Sequence, residues 1–473
     1  MIHSLLLGLM ALWALPVALC AQPLLEEVGG GVGLQGVAYL LSDDTGDRLL
    51  VTGAFTYAND VQVSPGILQW SASGLESIGC GVAWDCVSST SQVGLGNRAR
   101  SAAIWQDDVY VGGDFFFTRN GVLYDHIMHW DGSEWQPLDG GTDGPIKCVK
   151  VINDELIVAG WFTYADTVLA NGLARWDGER WHRVLNVPEF YPGDQNYVQD
   201  VIKYHGEWYL GGNMGSVRNL VKWDGDSWEI VGGGFTGSFA QVNKLMVHDD
   251  KLYVAGSFAQ CPPYGNPNNP GSGIVSWDGT SWDDLGGGTC GAPVGEIYSM
   301  VWWNEELYVV GRFNMIGGVP GDKLAKWNGV EWCTLTPPGY FGNGTSGALA
   351  VYHDSLYIGG AFVEAGGYEV SCFGKWIGGD ETYACGALTG LAEDATTLRF
   401  SVFPNPTTDQ LTLQGLPSST TILQVRHVLG REVLRSGLPL TSFSVGHMST
   451  GTYSLSALDR NGQVLATARF VRQ

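Results

Sequence analysis

The sequence predicts an all-β fold in which seven repeated units of about 50 residues precede a smaller C-terminal unit. Two observations indicate this fold: a phrase with two tryptophans around an Asp-Gly recurs along the chain, and short runs alternate apolar and polar residues. A third is that no helical period competes with these runs between Leu24 and Gly379. The chain has 473 residues, of which 45% are hydrophobic, and this is enough for a large core and a second domain.

The repeated phrase is clear in "KWDGDSWEIVGGG", which begins at Lys222, and its leading tryptophan returns every 46 to 60 residues. Asp-Gly between two apolar runs predicts a hairpin, because glycine and aspartate tolerate the positive φ of a tight turn. We expect the tryptophans to be core residues, since they lie inside strands and bury a large area. The leading tryptophans are Trp70, Trp130, Trp176, Trp223, Trp277, Trp327 and Trp376.

Each unit has the pattern of four strands, which in the fifth are "QVNKLMVHDD", "KLYVAGSF", "GIVSWDG" and "TSWDDLGGG". Seven such units predict a seven-bladed β-propeller over residues 22–381. With their "LYVxGxF", "W-D-G-x-x-W" and "GGG" phrases, the units resemble the Kelch-like repeats of secreted bacterial propellers. The resemblance implies an architecture and leaves the activity open.

The two ends of the repeat region are expected to meet in one unit. "LLEEVGGGV", which begins at Leu24, matches the fourth-strand phrase "WEIVGGG", and the seventh unit has no clear fourth strand after Trp376. We therefore predict that residues 24–28 complete the seventh unit. The alternative is that "ETYAC", residues 381–385, fills this place.

An apolar run at the N-terminus, "LLLGLMALWALPVALCAQ", predicts a signal peptide over residues 1–21, cleaved near Cys20 and Ala21. A lipoprotein would need a small residue before Cys20, where Leu19 stands. No other segment has the length and apolarity to span a bilayer, so we expect no transmembrane segment in the mature chain.

Eight cysteines remain after Cys20, an even number that predicts disulfides in an oxidising compartment. No two of them have the C-x-x-C spacing of a zinc or redox site. Cys148 and Cys333 are left unassigned, and the local pairs to try first are Cys80 with Cys86, Cys261 with Cys290, and Cys372 with Cys385.

Charge and motifs exclude several functions. A formal charge of −23 makes nucleic acid an improbable partner. No G-x-S-x-G, H-E-x-x-H or phosphate loop is present, and the sialidase-like phrase "SWDGTSW" is one residue short. The copper ligands of galactose-oxidase-like propellers cannot be assigned. His205, His248 and His353 fall in the turn between first and second strands, where His205 and His353 share a position with Asp249 and other polar turn residues. We therefore assign no catalytic residue, cofactor or metal.

The C-terminal segment looks like a type A sorting domain of the type IX secretion system. The residues that carry this likeness are Pro404, Asn405, Pro406, Gly430, Arg431, Gly451 and Tyr453, with Phe470 to Arg472 at the end. Its short alternating strands predict a small β-sandwich over residues 399–473, after a linker over residues 382–398. The alternative is an ordinary accessory sandwich.

The resemblance implies a source among the Bacteroidota and export by the Sec and type IX machineries to the cell surface or the medium. It also implies that the sorting domain is removed, and we expect that cleavage between about Thr382 and Ser401.

Two functional classes remain: a non-catalytic binding or adhesion module, which we favour, and an extracellular carbohydrate-active hydrolase or lyase with an unrecognised site. The ligand of a binding module would be a polysaccharide or a surface protein. We expect it on the face that carries the long connections after the second and fourth strands. The variable residues at the mouth of these loops are Asp114, Trp161, Ser257 and Arg312.

Overall fold

A computed structural model confirms that the chain is all-β. Its described residues form antiparallel sheets and two short 3-10 turns, Gly215–Val217 and Val231–Gly233, with no α-helix among them. The structure describes residues 24–33, 36–43, 47–55, 57–58, 61–62, 66–82, 98–185, 187, 196–260, 266–289, 295–379, 382–386, 401–403, 407–414, 416, 419–427, 432–437, 442–449, 451–460 and 464–472.

Seven antiparallel sheets follow one another along residues 25–385, and we number them by the order of their inner strands. Sheet 1 consists of Val37–Asp43, Arg48–Gly53, Ile67–Ser71 and Gly74–Ser77. Sheet 2 consists of Arg98–Trp105, Asp108–Arg119, Val122–Trp130 and Trp135–Pro137. Sheet 3 consists of Ile146–Ile152, Glu155–Gly160, Leu173–Trp176 and Trp181–Arg183. Sheet 4 consists of Tyr197–Tyr204, Glu207–Asn213, Leu220–Trp223 and Trp228–Ile230. Sheet 5 consists of Gln241–His248, Lys251–Ser257, Ile274–Trp277 and Trp282–Asp283.

Sheets 6 and 7 depart from this plain order. Sheet 6 has five strands, Glu296–Trp303, Glu306–Arg312, Leu324–Trp327, Trp332–Thr334 and Ala384–Cys385. Sheet 7 consists of Thr345–Tyr352, Ser355–Ala361, Phe373–Trp376 and, from the other end of the chain, Leu25–Glu27. Two-residue hairpins lie between second and third strands at Tyr57–Ala58 with Val61–Gln62, Tyr164–Ala165 with Val168–Leu169, Met315–Ile316 with Val319–Pro320, and Glu364–Ala365 with Tyr368–Glu369.

The seven sheets form a closed ring. The inner strand of each sheet lies against the inner strand of the next, and that of sheet 7 lies against that of sheet 1. The hydrophobic clusters lie between neighbouring sheets, as where Ala103 of sheet 2 packs with Val149 and Leu156 of sheet 3. Burial of apolar surface between successive sheets therefore stabilises the ring.

The predicted completion of the seventh unit by residues 24–28 is confirmed. Leu25 pairs with Trp376 and Glu27 with Gly374 in antiparallel register. The alternative strand lies elsewhere, because residues Ala384–Cys385 pair with Cys333 and Thr334 at the outer edge of sheet 6. Residues 382–386, which the sequence places in the linker, thus belong to the ring.

The recurrence of tryptophan and glycine has a local explanation. In sheets 2, 3, 5 and 6 the tryptophan of the fourth strand donates its indole N–H to a backbone oxygen at the end of the preceding sheet, as Trp332 does to Leu285 at 2.6 Å. Trp282 bonds the carbonyl of Gly232 in the same way, and a Cβ on this glycine would lie 2.1 Å from Nε1 of Trp282. Gly232 also has a φ of 52°. Only glycine meets both demands without strain.

The aspartate of "W-D-G-x-x-W" acts as an acceptor. Asp131 Oδ1 accepts the backbone N–H groups of Ser133 at 2.8 Å and Glu134 at 2.9 Å, and the four equivalent residues do the same. These bonds, led by that from Glu134, lower the pKa of Asp131 to about 2. Gly132 takes the positive φ that the turn needs, as predicted.

Two antiparallel sheets make up the described C-terminal unit. One contains Ser401–Phe403, Gln410–Gln414 and Ser442–Ser444, and the other contains Ile422–His427, Glu432–Gly437, Gly451–Leu458 and Val464–Arg472. Residues of both sheets share one hydrophobic cluster, with Leu411 from the first and Val425 and Leu455 from the second. This unit therefore has its own core.

Candidate functional site

The candidate site lies at the edge of the ring where the inner strands begin, which we call the loop face. Inner strands start here and second strands end here, so that Gln241 pairs with Ser257 and Glu296 with Arg312. The connections after the second and fourth strands leave from this edge. The structure distributes the four residues chosen from the sequence over sheets 2, 3, 5 and 6: Trp161, Ser257 and Arg312 are at or just beyond the ends of second strands, whereas Asp114 lies inside the longer second strand of sheet 2.

A cleft of about 720 Å³ opens on the loop face between sheets 4, 5 and 6. It brings together two of the four predicted residues, Ser257 and Arg312, and leaves Asp114 and Trp161 outside it. Its remaining lining comes from the end of sheet 4, the connection into sheet 5 and the start of two inner strands: Asn213, Gly215, Asn219, Gly237, Ser238, Phe239, Ala240, Gln241 and Glu296.

The carboxylate of Glu296 is the centre of a polar network at the base of the cleft. It accepts hydrogen bonds from Gln241 Nε2 at 3.0 Å, Asn243 Nδ2 at 3.2 Å and the Tyr298 hydroxyl at 2.9 Å. Arg312 Nη2 lies 3.6 Å from its second oxygen. Burial, and after it the charge of Glu296, raises the pKa of Tyr298. The network holds the carboxylate in a fixed position, because each of its oxygens has protein donors.

The lining of the same cleft includes an exposed aromatic side chain, Phe239. Phe239 is 70% exposed, although it lies in a connection whose other phenylalanine, Phe235, is fully buried. Phe235 stacks on Phe258 with ring centroids 4.1 Å apart, and its carbonyl accepts a bond from Asn219 Nδ2 at 2.9 Å. The connection is therefore anchored beside Phe239, which leaves that ring facing solvent at the cleft.

The two predicted residues outside the cleft have different environments. Asp114 accepts hydrogen bonds from Arg100 Nε at 2.7 Å and Lys147 Nζ at 3.3 Å. Burial alone would raise the pKa of Asp114, but these two cations outweigh it and the pKa lies below its usual range. Trp161 is 48% exposed on the same face.

The predicted pairing of Cys372 with Cys385 is wrong. Cys385 forms a disulfide with Cys333, because the strand Ala384–Cys385 places the two directly opposite each other on sheet 6. Cys372 is a buried free thiol in sheet 7, and Cys148 is also free and buried. Cys80 is disulfide-bonded, but Cys86, Cys261 and Cys290 lie outside the described residues.

Within the part of the chain that the structure describes, one group of three metal-type donors occurs, Glu331 with Cys333 and Cys385. Its two sulfurs are already joined in the disulfide and offer no thiolate. Of the three histidines considered in the sequence, His205 and His353 lie in turns, whereas His248 ends an inner strand and stacks on Trp302. His205 Nε2 lies 2.7 Å from Asp250 Oδ1, and its ring stacks on Tyr204.

The structure describes two of the predicted sorting residues, Gly451 and Tyr453, and both contribute to the strands and core of the C-terminal unit. Tyr453 is buried, donates its hydroxyl to the Ser449 carbonyl at 2.7 Å and stacks on Phe470 with centroids 5.3 Å apart. Gly451 begins its strand opposite Arg472. Pro404, Asn405, Pro406, Gly430 and Arg431 lie outside the described residues.

Comparison with known proteins identifies the C-terminal segment. The family described as "Secretion system C-terminal sorting domain" matches residues 401–471. This domain indicates export by the type IX secretion machinery to the cell surface or the extracellular space. Among the described residues, no helix has the length and apolarity needed to cross a membrane. A comparison with curated proteins gives no match.

Several solved structures are similar to the chain at low identity. One, described as the extracellular domain of a one-component system, BT4673 from B. thetaiotaomicron, is 13% identical over 93% of this chain and 56% of its own, with a TM-score of 0.43. PorZ, a surface component of the type IX secretion system of Porphyromonas gingivalis, is 13% identical over 92% of this chain and 65% of its own, with a TM-score of 0.35.

A third, described as the extracellular domain of a hybrid two-component system, BT3049 from B. thetaiotaomicron, is 10% identical over 96% and 58%, with a TM-score of 0.46. The chain thus spans between about half and two thirds of the length of these structures.

Proposed function

We propose that the protein is a secreted seven-bladed β-propeller of Kelch-like repeats that binds an extracellular carbohydrate, without catalysis, in the cleft on its loop face. The observation that carries this proposal is the exposed ring of Phe239 beside the Glu296–Arg312 pair in a cleft of about 720 Å³. The C–H face of a sugar ring packs on an aromatic side chain, and its hydroxyls exchange hydrogen bonds with amides and charged groups. The volume lies in the range of ordinary ligand sites.

The number of carboxylates in the cleft favours binding over hydrolysis. Glycoside hydrolysis by the common mechanism needs two carboxyl groups on either side of the scissile bond. Among the described residues that line the cleft, Glu296 is the one carboxylate, its side chain is 11% exposed, and both its oxygens already have donors. A hydrolase of this type would need a second acid from outside this lining.

A glycan array with the full secreted protein tests the proposal, followed by titration of the glycans that bind. We expect Phe239→Ala to weaken binding about tenfold or more, because the ring supplies the apolar platform for the sugar. Arg312→Ala should weaken binding as well, since its side chain is 58% exposed at the cleft.

The matched control is Phe116→Ala, which removes another exposed phenylalanine, 62% exposed, from sheet 2. This variant should bind like the wild type. Equal binding by Phe239→Ala and the wild type would exclude the cleft, and absence of any glycan ligand would favour a protein partner. Shortening of the bound glycans would favour the hydrolase or lyase.

We further expect the mature product to lack the sorting domain. The disulfide between Cys333 and Cys385 holds residues 382–386 on sheet 6, so cleavage that leaves the ring complete falls between about residues 387 and 400. Mass spectrometry of cell-surface and culture-fluid protein should therefore find the C-terminus in this interval. Recovery of most copies with intact peptides from residues 411–473 would contradict removal of the domain.

A further inference from the structure

A second cavity lies on the axis of the ring, separate from the cleft. It has a volume of about 70 Å³ and is lined by residues from all seven inner strands, from Tyr39 on sheet 1 to Gly347 on sheet 7. Since about 10–15 Å³ of such space is enough to hold one water, this cavity suits a group of a few heavy atoms. It is too small for the sugar chain proposed for the cleft.

The backbone of every inner strand contributes to this cavity in the same way. Each has a bulge at the equivalent position, where one residue has no partner on the second strand. A bulge redirects a side chain and leaves it outside the regular alternation of the strand. The bulged residues that line the cavity are Arg100, Lys147, Gln199, Asn243, Tyr298 and Gly347.

The cavity concentrates positive charge in a chain with a formal charge of −23. Four cations line it, Arg100, Lys147, Lys150 and Lys244, against one lining carboxylate, Asp200. Asp114, which bonds Arg100 and Lys147 beside the cavity, brings the carboxylates to two. Glu296 accepts bonds from Asn243 and Tyr298, which also line the cavity, but it has its own cation in Arg312. Two positive charges of the cluster therefore have no carboxylate of their own.

The two carboxylates are already occupied. Asp200 forms an ion pair with Lys150, accepts the Leu245 N–H at 2.8 Å, and lies 4.0 Å from Lys244. Burial, followed by the charge of Arg100, lowers the pKa of Lys147, which shows how closely the cations crowd. The side-chain amide of Gln199 lines the same space and has no hydrogen-bond partner among the described residues.

We propose that the axial cavity binds a small oxyanion, such as sulfate, phosphate or a carboxylate group, between Arg100, Lys147 and the amide of Gln199. An oxyanion accepts several charge-assisted hydrogen bonds at once, and guanidinium, ammonium and amide donors are the groups that supply them. The charge of the oxyanion would offset the excess of positive charge in the cavity. Without it, burying these cations away from solvent costs free energy. This proposal does not depend on the one made for the cleft.

Calorimetric titration of the full chain with sodium sulfate tests the proposal, with sodium chloride at matched ionic strength as the blank. We expect saturable binding of one sulfate per chain. Lys147→Gln should weaken it about tenfold or more, because it removes one charge-assisted bond and leaves Arg100 on Asp114. Gln199→Ala should also weaken it, and this variant keeps every ion pair of the ring.

The control is Lys222→Gln, which removes a lysine that bonds Glu207 on sheet 4 and does not line the cavity. Near-ultraviolet circular dichroism without sulfate checks that each variant is folded. Lack of saturable binding, or equal affinity in the wild type and a folded Lys147→Gln or Gln199→Ala variant, would overturn the proposal. A sulfated glycan that competes with free sulfate would identify the oxyanion as part of a larger ligand, and independent binding would identify it as a free ion.

Discussion

Asp200→Asn should lower the free energy of unfolding by about 3–5 kcal/mol. Asp200 is 2% exposed and is the carboxylate shared by Lys150 and Lys244. Asparagine keeps the shape of the side chain but leaves two lysines near the axis without their countercharge. The Leu245 N–H would lose a charged acceptor as well. The midpoint of urea denaturation at constant slope measures the change.

The effect should depend on pH in a defined direction. Burial alone would raise the pKa of Asp200, but the charges of Lys150 and Lys244 outweigh it and hold the pKa below the ordinary 3.8. The carboxylate therefore stabilises the fold above about pH 4, and this contribution is lost as the pH falls through the lowered pKa. The difference between wild type and variant should shrink on acidification.

Asp226→Asn is the matched control, because Asp226 is exposed in a turn of sheet 4. Its effect should stay within about 0.5 kcal/mol. If Asp200→Asn were as stable as the wild type at neutral pH, the lysines could not depend on Asp200, and the ion-pair account of the axis would be wrong.

Trp332→Ala should cost about 3–5 kcal/mol, the range for removing a fully buried aromatic ring. Trp332 is 1% exposed, lies with its ring centroid 5.4 Å from that of Trp327, and donates to the Leu285 carbonyl of the preceding sheet. Trp332→Phe should cost less, since it keeps much of the ring and loses the hydrogen bond. Thermal and urea denaturation of the variants measure both changes.

Trp282, the equivalent residue of sheet 5, provides the comparison. It makes the equivalent bond to Gly232, at 3.1 Å, but is only partly buried. Trp282→Ala should therefore destabilise the protein less than Trp332→Ala. Equal losses at the two positions would contradict burial as the main source of the effect.

Repeated features of the ring could be predicted from the sequence because each depends on local chemistry. The period of Trp70 to Trp376, the Asp-Gly turns and the strand at Leu24 all act through residues near in sequence or through one recurring phrase. The partner of each indole was not predictable in this way. For Trp135 and Trp282 it lies in the preceding sheet, and the missing side chains of Gly79 and Gly232 make room for the rings there.

The features that could not be predicted from the sequence depend on contacts between distant segments of the chain. The strand Ala384–Cys385 has two residues and no alternating pattern, so its place on sheet 6 and the disulfide to Cys333 carried no local signal. The cleft joins connections and strand ends of three sheets, and Phe239 stands in a glycine-rich stretch without a motif. Two of the axial cations, Arg100 and Lys147, share the bulge position of the repeat, and aligning the inner strands at their bulges could have revealed these two.

The pairing of Leu25–Glu27 with Phe373–Trp376 also has a consequence for the order of folding. Segments from the two ends of the ring must meet, so this contact has a very long sequence separation and is expected to form late. Until it forms, the strand Phe373–Trp376 is an unpaired sheet edge, which can pair with another chain. The step that closes the ring therefore also removes a site of aggregation, at a stage when the exported chain is still incompletely folded.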